Sequence, residues 1–379
     1  MNVKKVLIFS LAYYPYVGGA EVAVKEITDR IEDLEFHLVT LRFAPTDATY
    51  EKLGNVHVYR VGKGRSSAWA KFMFQLRAAR FAGMLHKEQR FDALWAVMAH
   101  SAGVPAALFK KHHPDVPYIL NLQEGDPPKQ IERTMRPLWP LFKRAFTTAD
   151  VVQPLSNFLA AWAYRMGYQG PIEIIPNGVD DKKFVGDKMP HERVVLVTSS
   201  RLVKKNAVDT IIRALPLLPP YIQLVVAGVG PEEKSLRQLA TKLAVENRVE
   251  FKGFVPHSDL PALLHQSDVF IRPSRSEGQG ASFIEAMAAG LPVIATQEGG
   301  ISDFLFDAKR NPDKPTTGWA VDVDNPTQIA EAVKDIIANP DAARRVTETA
   351  RTMALEKYDW DLIAKHMRAR VFGRVFKNG

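Results

Sequence analysis

The chain has no cysteine among its 379 residues, which excludes disulfides and thiolate metal sites at once. No run of residues approaches the roughly 18 apolar positions that a membrane-spanning helix needs. The first ten residues have too short an apolar part for a signal peptide and lead directly into a strand pattern. A cytoplasmic body is the expectation. The GxGxxG dinucleotide fingerprint is also missing, because the pair Gly18-Gly19 after the first strand pattern lacks its third glycine. That argues against a nicotinamide enzyme.

An acidic balance is missing from one segment in particular. Residues 51 to 146 hold 16 Lys/Arg and seven Asp/Glu, whereas residues 147 to 379 hold 29 and 28. The formal net charge of +8 therefore lies within the N-terminal half, which points to an anionic surface as partner. The length exceeds one typical domain. Strand patterns at Lys4–Leu11, Phe36–Thr40, Val56–Val61, Ala93–Met98, Tyr118–Leu122, Val151–Pro154 and Ile172–Ile175 alternate with helical ones. After the turn signal Pro176-Asn177-Gly178 the alternation restarts, with strands at Val194–Val197, Ile222–Ala227, Val249–Phe251, Val269–Ile271, Val293–Ala295 and Trp319–Val321. Such alternation predicts an α/β chain of two doubly wound, Rossmann-like domains, residues 1–176 and 177–358. A last helical stretch, about 359–379, either packs on the second domain or crosses back to the first. Two such domains facing each other would leave a cleft at the carboxyl ends of their strands.

Residues 272 to 300 carry the strongest chemical signal. A buried strand ends at Arg272-Pro273, and a loop with Gly278 and Gly280 follows. A helix then runs over 281–289 and a second strand begins at Val293. A glycine-bearing loop at a helix N-terminus presents free amides and suits a phosphate. Two carboxylates frame it. Glu277 stands at the mouth, and Glu285 lies roughly 7 Å along the helix, about the span from a diphosphate to a ribose. A carboxylate can accept from both ribose hydroxyls. Arg201 and Lys205, in the loop after the Val194–Val197 strand, supply two cations suited to a diphosphate leaving group.

These residues, with Ala227 to Pro231, Phe251 to Val255 and the Glu277…Glu285 pair in this order and spacing, resemble family 4 of the retaining glycosyltransferases. Asn177 to Asp180 with Phe184, and Pro15 with Gly18-Gly19, match that family at the entries to the second and first domains. The resemblance implies a GT-B fold, an acceptor-binding first domain and a nucleotide-sugar-binding second one. It implies sugar transfer from a nucleotide-diphosphate sugar, UDP- or GDP-linked, with retention and without a metal or other cofactor. By position, Arg201 and Lys205 would hold the diphosphate and stabilise the departing nucleotide. The amides of Gly280, Ala281 and Ser282 would meet the phosphate, Glu277 the donor sugar and Glu285 the ribose. Backbone at Phe254 and Val255 would meet the base, and Gly18 and Gly19 would line the donor site from the first domain.

Three departures stand out. Asn206-Ala207 replaces the glycine that follows the lysine in the family, and Gln279 stands where an aromatic is common. In the first domain Gln123 occupies a position that often holds histidine. Glu124 or Asp126 would then orient or deprotonate the acceptor hydroxyl; the structural alternative is a polar turn with a helix cap. His100 either lines the site or caps and packs. Asp322 and Asp324 read as a turn and helix cap rather than a metal pair.

The basic segment interleaves Lys63, Arg65, Lys71, Arg77, Arg80, Lys87 and Arg90 with Trp69, Phe72, Phe74 and Phe81, and a second helix over 129–146 repeats the composition. Basic helices with aromatics suit an anionic membrane surface at the inner face of a cell membrane. No nucleic-acid module is visible. The expected partners are a nucleotide-sugar donor and a lipid-linked or cell-envelope glycan acceptor. The alternative is a nucleotide-sugar-binding protein without catalysis.

Overall fold

A computed structural model describes residues 3–184, 186 and 193–377, so the last two positions of the 359–379 stretch lie outside the described residues. The chain divides into two compact units. One comprises Met1–Asn177 with Trp360–Gly379, the other Gly178–Asp359.

In the first unit, strands β1 (Lys4–Phe9), β2 (Leu34–Leu41), β3 (Tyr50–Leu53), β4 (Val56–Val61), β5 (Ala93–Val97), β6 (Tyr118–Leu122) and β7 (Val151–Pro154) form one sheet in the order β3-β4-β2-β1-β5-β6-β7. Only β3 runs antiparallel, to β4. Helices α1 (Gly19–Arg30), α2 (Ala68–Gln89), α3 (Val104–His112), α4 (Pro128–Thr134), α5 (Trp139–Thr147) and α6 (Asn157–Arg165) accompany it. Both faces of the sheet are covered, so its central strands β1, β5 and β6 are mostly apolar. In β1, Leu7 and Phe9 pack with Phe74 and Ala78 of α2 and Phe109 of α3. Val6 and Ile8 face the other way, toward Val24 and Ile27 of α1.

In the second unit, β8 (Val194–Ser199), β9 (Ile222–Ala227), β10 (Val249–Gly253), β11 (Val269–Arg272), β12 (Val293–Ala295) and β13 (Trp319–Ala320) form a parallel sheet in the order β10-β9-β8-β11-β12-β13. Its helices are α7 (Asp181–Phe184), α8 (Val208–Ala214), α9 (Glu233–Lys242), α10 (Leu260–His265), α11 (Ala281–Ala288), α12 (Pro326–Ala338) and α13 (Pro340–Lys357). Ile211 of α8, Leu236 of α9 and Val333 of α12 cover one face, while Phe283 and Met287 of α11 and Leu264 of α10 cover the other.

The final stretch consists of α14 (Trp360–His366), a π-helical turn at Met367–Phe372 and α15 (Gly373–Lys377). It belongs to the first unit. Trp360, Ile363, Met367, Val371 and Phe372 are buried beside Val6, Ile8 and α1. The Phe372 ring lies 6.0 Å from Phe36 and 5.6 Å from Trp95, centroid to centroid. Arg30 pairs with Asp361 at 2.6 Å and Arg368 with Asp33 at 2.7 Å.

Several elements differ from the sequence expectation. Residues 172–175 make no strand: Ile172 only bridges Val152. Pro171 and Pro176 bracket the segment, and neither has an amide to donate. The helix expected over 129–146 is broken into α4, a 3-10 turn at Arg136–Leu138 and α5, with Pro137 and Pro140 at the break. Strand β3 escapes pattern reading because it is a mixed, part-exposed edge. Helix α13 escapes it because its buried residues, Ala343, Ala350 and Ala354, form a stripe of small side chains with little hydrophobic contrast. Among the described residues no helix is long and apolar enough to cross a membrane.

Because Phe372 is fully buried against β2 and β5, Phe372→Ala should destabilise the first unit by about 3–5 kcal/mol. Denaturant titration followed by tryptophan fluorescence will report the loss.

Candidate functional site

Each sheet begins in its middle. In the second unit the chain runs β8, β9, β10 outward to one side, then returns to place β11 on the other side of β8. Such a reversal leaves a crevice at the carboxyl ends of the two central strands, where open α/β sheets hold ligands. The loops leaving β8 and β11 are the ones that carry Arg201 with Lys205 and Glu277 with Gly280.

Hydrogen bonds tie these loops together. The Arg275 amide donates to the Lys205 carbonyl at 2.7 Å. Buried Asn206 donates from Nδ2 to the Arg201 carbonyl at 2.6 Å. Arg201 is exposed and Lys205 half-buried; the Arg201 guanidinium has no partner among the described residues. Ala207 follows in the left-handed region, φ 53°, a conformation that favours glycine.

The second loop turns through Gly280, φ 84°, where a Cβ would stand 2.5 Å from the Phe283 ring. Helix α11 starts at the next residue, and no side chain caps it. Its first amides, at Ala281 and Ser282, thus lack an intrahelical partner. The Glu277 carboxylate is buried. Arg272 Nη2 donates to its Oε2, and the Gly278 amide donates to Oε1 at 3.1 Å. Its carbonyl accepts from the Gly300 amide at 2.9 Å, and Gly299 approaches so closely that a Cβ would lie 2.0 Å from that oxygen. Gln279 is also buried.

Glu285 sits in the middle of α11, 8% exposed, and its Oε1 lies 2.9 Å from His257 Nε2. His257 follows Phe254 and Val255 in the loop after β10. Phe254 is 72% exposed, without apolar cover, and Val255 is half-buried. Arg272 and His257 both escaped the sequence reading. The signal for Arg272 was a charge closing an otherwise apolar strand; the signal for His257 was an imidazole two residues beyond Val255.

In the first unit the corresponding reversal lies between β1 and β5. Gly18 and Gly19 follow β1 and open α1; both are exposed, and the Gly18 amide donates to Glu21 at 2.8 Å. Burial raises the Glu21 pKa above the ordinary carboxylate value. A Cβ on Gly19 would meet nothing within 4 Å. After β5, Met98 takes φ 71° and a π-helical turn, Ala99–Gly103, follows. Both features are uncommon and recur at functional sites.

Glu124 is enclosed by its neighbours. Its side chain is wholly buried, accepting from the amides of Gln123 at 3.0 Å and His100 at 3.3 Å, with His100 Nδ1 at 3.4 Å. His100, about one third exposed, is the group it supports. Asp126 is half-buried and lies ahead of Pro127, which precedes α4 without a side-chain cap. Gln123 Oε1 accepts from Asn177 at 3.0 Å.

Asp322 and Asp324 are both engaged by cations. Asp322 pairs with Arg310, and Asp324 with Arg275, which also holds Asp209. Hydrogen bonding to Arg275 holds the Asp324 pKa below the ordinary carboxylate value. Asn325 is the residue whose side chain caps α12. Among the described residues no group of three or more potential ligands could hold a metal ion.

The basic face is different in kind. Lys63, Arg65, Lys71, Arg77 and Arg80 are exposed, and none has an ion pair among the described residues. From residue 63 to 87 no Asp or Glu occurs. Beside them Trp69 is 69%, Leu76 43% and Phe72 38% exposed, with Trp69 stacked on Phe72.

Two family models match in tandem: the glycosyl transferase 4-like domain over residues 18–178 and glycosyl transferases group 1 over residues 179–353. A GDP-mannose-dependent α-(1-6)-phosphatidylinositol monomannoside mannosyltransferase of Mycolicibacterium smegmatis is 32% identical over 61% of the chain. The match spans 64% of that relative's length. An uncharacterized glycosyltransferase of Methanocaldococcus jannaschii is 24% identical over 95% of the chain and 96% of its own. Among solved structures, sucrose-phosphate synthase from Thermosynechococcus elongatus superposes with a TM-score of 0.85 at 18% identity, over 99% of this chain and 100% of that one. Anabaena HepE in complex with UDP and glucose gives 0.78 at 20% identity, over 98% and 100%. The fold is therefore that of the GT-B class, two Rossmann-like domains in one chain. Within that class, the chain belongs to the glycosyltransferases of family 4 type.

Two glycines separate packing from ligand access. Gly299→Ala should destabilise the second unit by about 2 kcal/mol or more, from backbone strain and collision with Glu277. Gly19→Ala should leave stability within about 0.5 kcal/mol. Thermal unfolding of the two variants checks both.

Proposed function

We propose that the protein is a retaining glycosyltransferase that moves a sugar from a nucleotide-diphosphate sugar, UDP- or GDP-linked, to a lipid-linked or cell-envelope glycan. The observation that carries this reading is the crevice of the second unit. There a cation loop, an uncapped helix N-terminus and a buried carboxylate are hydrogen-bonded into one frame. Arg201, Lys205 and the amides of Gly280, Ala281 and Ser282 neutralise the diphosphate as the bond from the anomeric carbon to the phosphate oxygen breaks. In this role they stand in place of a metal ion. Glu277 accepts from donor-sugar hydroxyls and Glu285 from the ribose, while backbone at Phe254 and Val255 faces the base. Gly18 and Gly19 stay the first unit's candidate donor contacts, with open space at Gly19.

The acceptor hydroxyl forms the new glycosidic bond on the face the nucleotide leaves, and its proton passes to the departing phosphate. Asp126 orients that hydroxyl, and Glu124 acts on it only through His100. The named activity of the mycobacterial relative, GDP-mannose-dependent and directed at a phosphatidylinositol mannoside, supports GDP-mannose as the first donor to try. The unpaired cations and exposed Trp69, Phe72 and Leu76 of α2 support docking on an anionic lipid surface at the inner face of a cell membrane.

A second reading, a nucleotide-sugar-binding protein without turnover, is favoured by one residue. Gln123 cannot titrate, and its carbonyl is already bound to Asn177. Thermal-shift binding of UDP-, GDP- and ADP-sugars, followed by assay of released nucleotide with lipid acceptors present, separates the two. Binding without turnover would select the second.

Glu285→Ala should weaken nucleotide binding by about 1–3 kcal/mol, measured by calorimetry; unchanged affinity would overturn the ribose assignment. Charge reversal at Lys71, Arg77 and Arg80 should weaken binding to phosphatidylserine vesicles by about 1 kcal/mol per residue or more. Cosedimentation at two salt concentrations measures it, and equal binding by the variant would remove the membrane from the reading.

A further inference from the structure

Arg272 closes β11 at 8% exposure. A guanidinium so deeply placed is tolerated only when well paired. Its three contacts reach three different pieces of the crevice. Nη2 donates to Glu277 Oε2 and, at 3.4 Å, faces Asn206 Oδ1. Nη1 donates to Ser282 Oγ, in the first turn of α11, at 2.6 Å. The charge lies 5.0 Å from the Phe283 ring centroid, within the range of a cation–π attraction. Asn206 in turn holds the Arg201 carbonyl. Sugar carboxylate, helix N-terminus and cation loop therefore meet at one side chain.

We propose that Arg272 is the positioning residue of the donor site, fixing the direction of the Glu277 carboxylate. This rests on reading Glu277 as a contact of the donor sugar. Two physical consequences support it. A carboxylate left alone beside this anion-binding loop would repel the incoming diphosphate; paired with Arg272 it adds no net charge. Each Glu277 oxygen also has one internal donor, Arg272 or the Gly278 amide, which fixes its direction and leaves further lone pairs for hydroxyls. The planar fork matters, because an ammonium is a point charge and cannot reproduce this spread of directed bonds.

The test compares Arg272→Lys, Arg272→Met, Glu277→Gln and the double variant R272M/E277Q in the full chain. The probes are GDP with GDP-mannose, and UDP with UDP-glucose. For R272K the expectation is an unchanged melting temperature and GDP or UDP affinity within about threefold, with kcat for sugar release down about 10- to 100-fold. A merely structural arginine would instead lower stability and nucleotide affinity together, and that result overturns the proposal. If R272K does not fold, the cycle decides: R272M/E277Q should release sugar at the rate of E277Q alone, because Arg272 acts through Glu277. Additive losses overturn it. Normal turnover by R272K beside a crippled E277Q removes the role of Arg272 alone. Normal turnover by E277Q removes the donor-sugar reading of Glu277 itself.

Discussion

The first strand of each unit lies in the middle of its sheet, and the placement of most candidate residues depends on that. A parallel strand buried on both faces can place chemistry only at its ends, since its sides are filled by Val, Leu, Ile and Phe. Where the strand order reverses, the loops leaving two neighbouring strands diverge, and their backbone amides face open space. In the second unit those loops follow β8 and β11. One carries exposed Arg201, and the other an uncapped helix and a buried carboxylate. In the first unit they follow β1 and β5, giving open Gly18-Gly19 and the π-helical turn bearing His100.

Charge is distributed by the same logic. In the second unit charges are paired internally: buried Arg272 with Glu277, and half-buried Arg275 with Asp209 and Asp324. The buried pair is expensive to break, so it holds its loop in one register. On α2 of the first unit the cations are exposed and unpaired, beside large apolar side chains. Charges left in water with no internal partner do no holding. They suit association with something outside the chain.

Much of this was legible in the sequence. Strands such as β4, β6 and β7 were placed to the residue, because short apolar-rich stretches bounded by Asn, Gly, Pro or Asp leave few alternatives. The phosphate-type loop was legible from Gly278, Gly280 and the helix formers after them. What stayed hidden was long-range pairing. Nothing local says that Arg272 turns back to Glu277 and reaches Ser282, or that His257 meets Glu285. Glu124 illustrates the converse: an acidic residue in a polar turn reads as available, and only tertiary packing buries it behind His100. Small-residue helices such as α13 were invisible for want of hydrophobic contrast.

The return of residues 360–377 to the first unit has a consequence for synthesis. The second unit is an insertion in the first, entered and left at neighbouring points, with the Val179 amide 2.6 Å from the Tyr358 carbonyl. Translation delivers segments in order, so β1 to β13 emerge before Met367 and Phe372 can cover β1 and β5. The inserted unit is synthesised whole before the unit begun first has the residues 360–377 that complete its core. In that interval a face of its sheet, including Trp95 and Phe36, stays uncovered and open to chaperones or to mispairing.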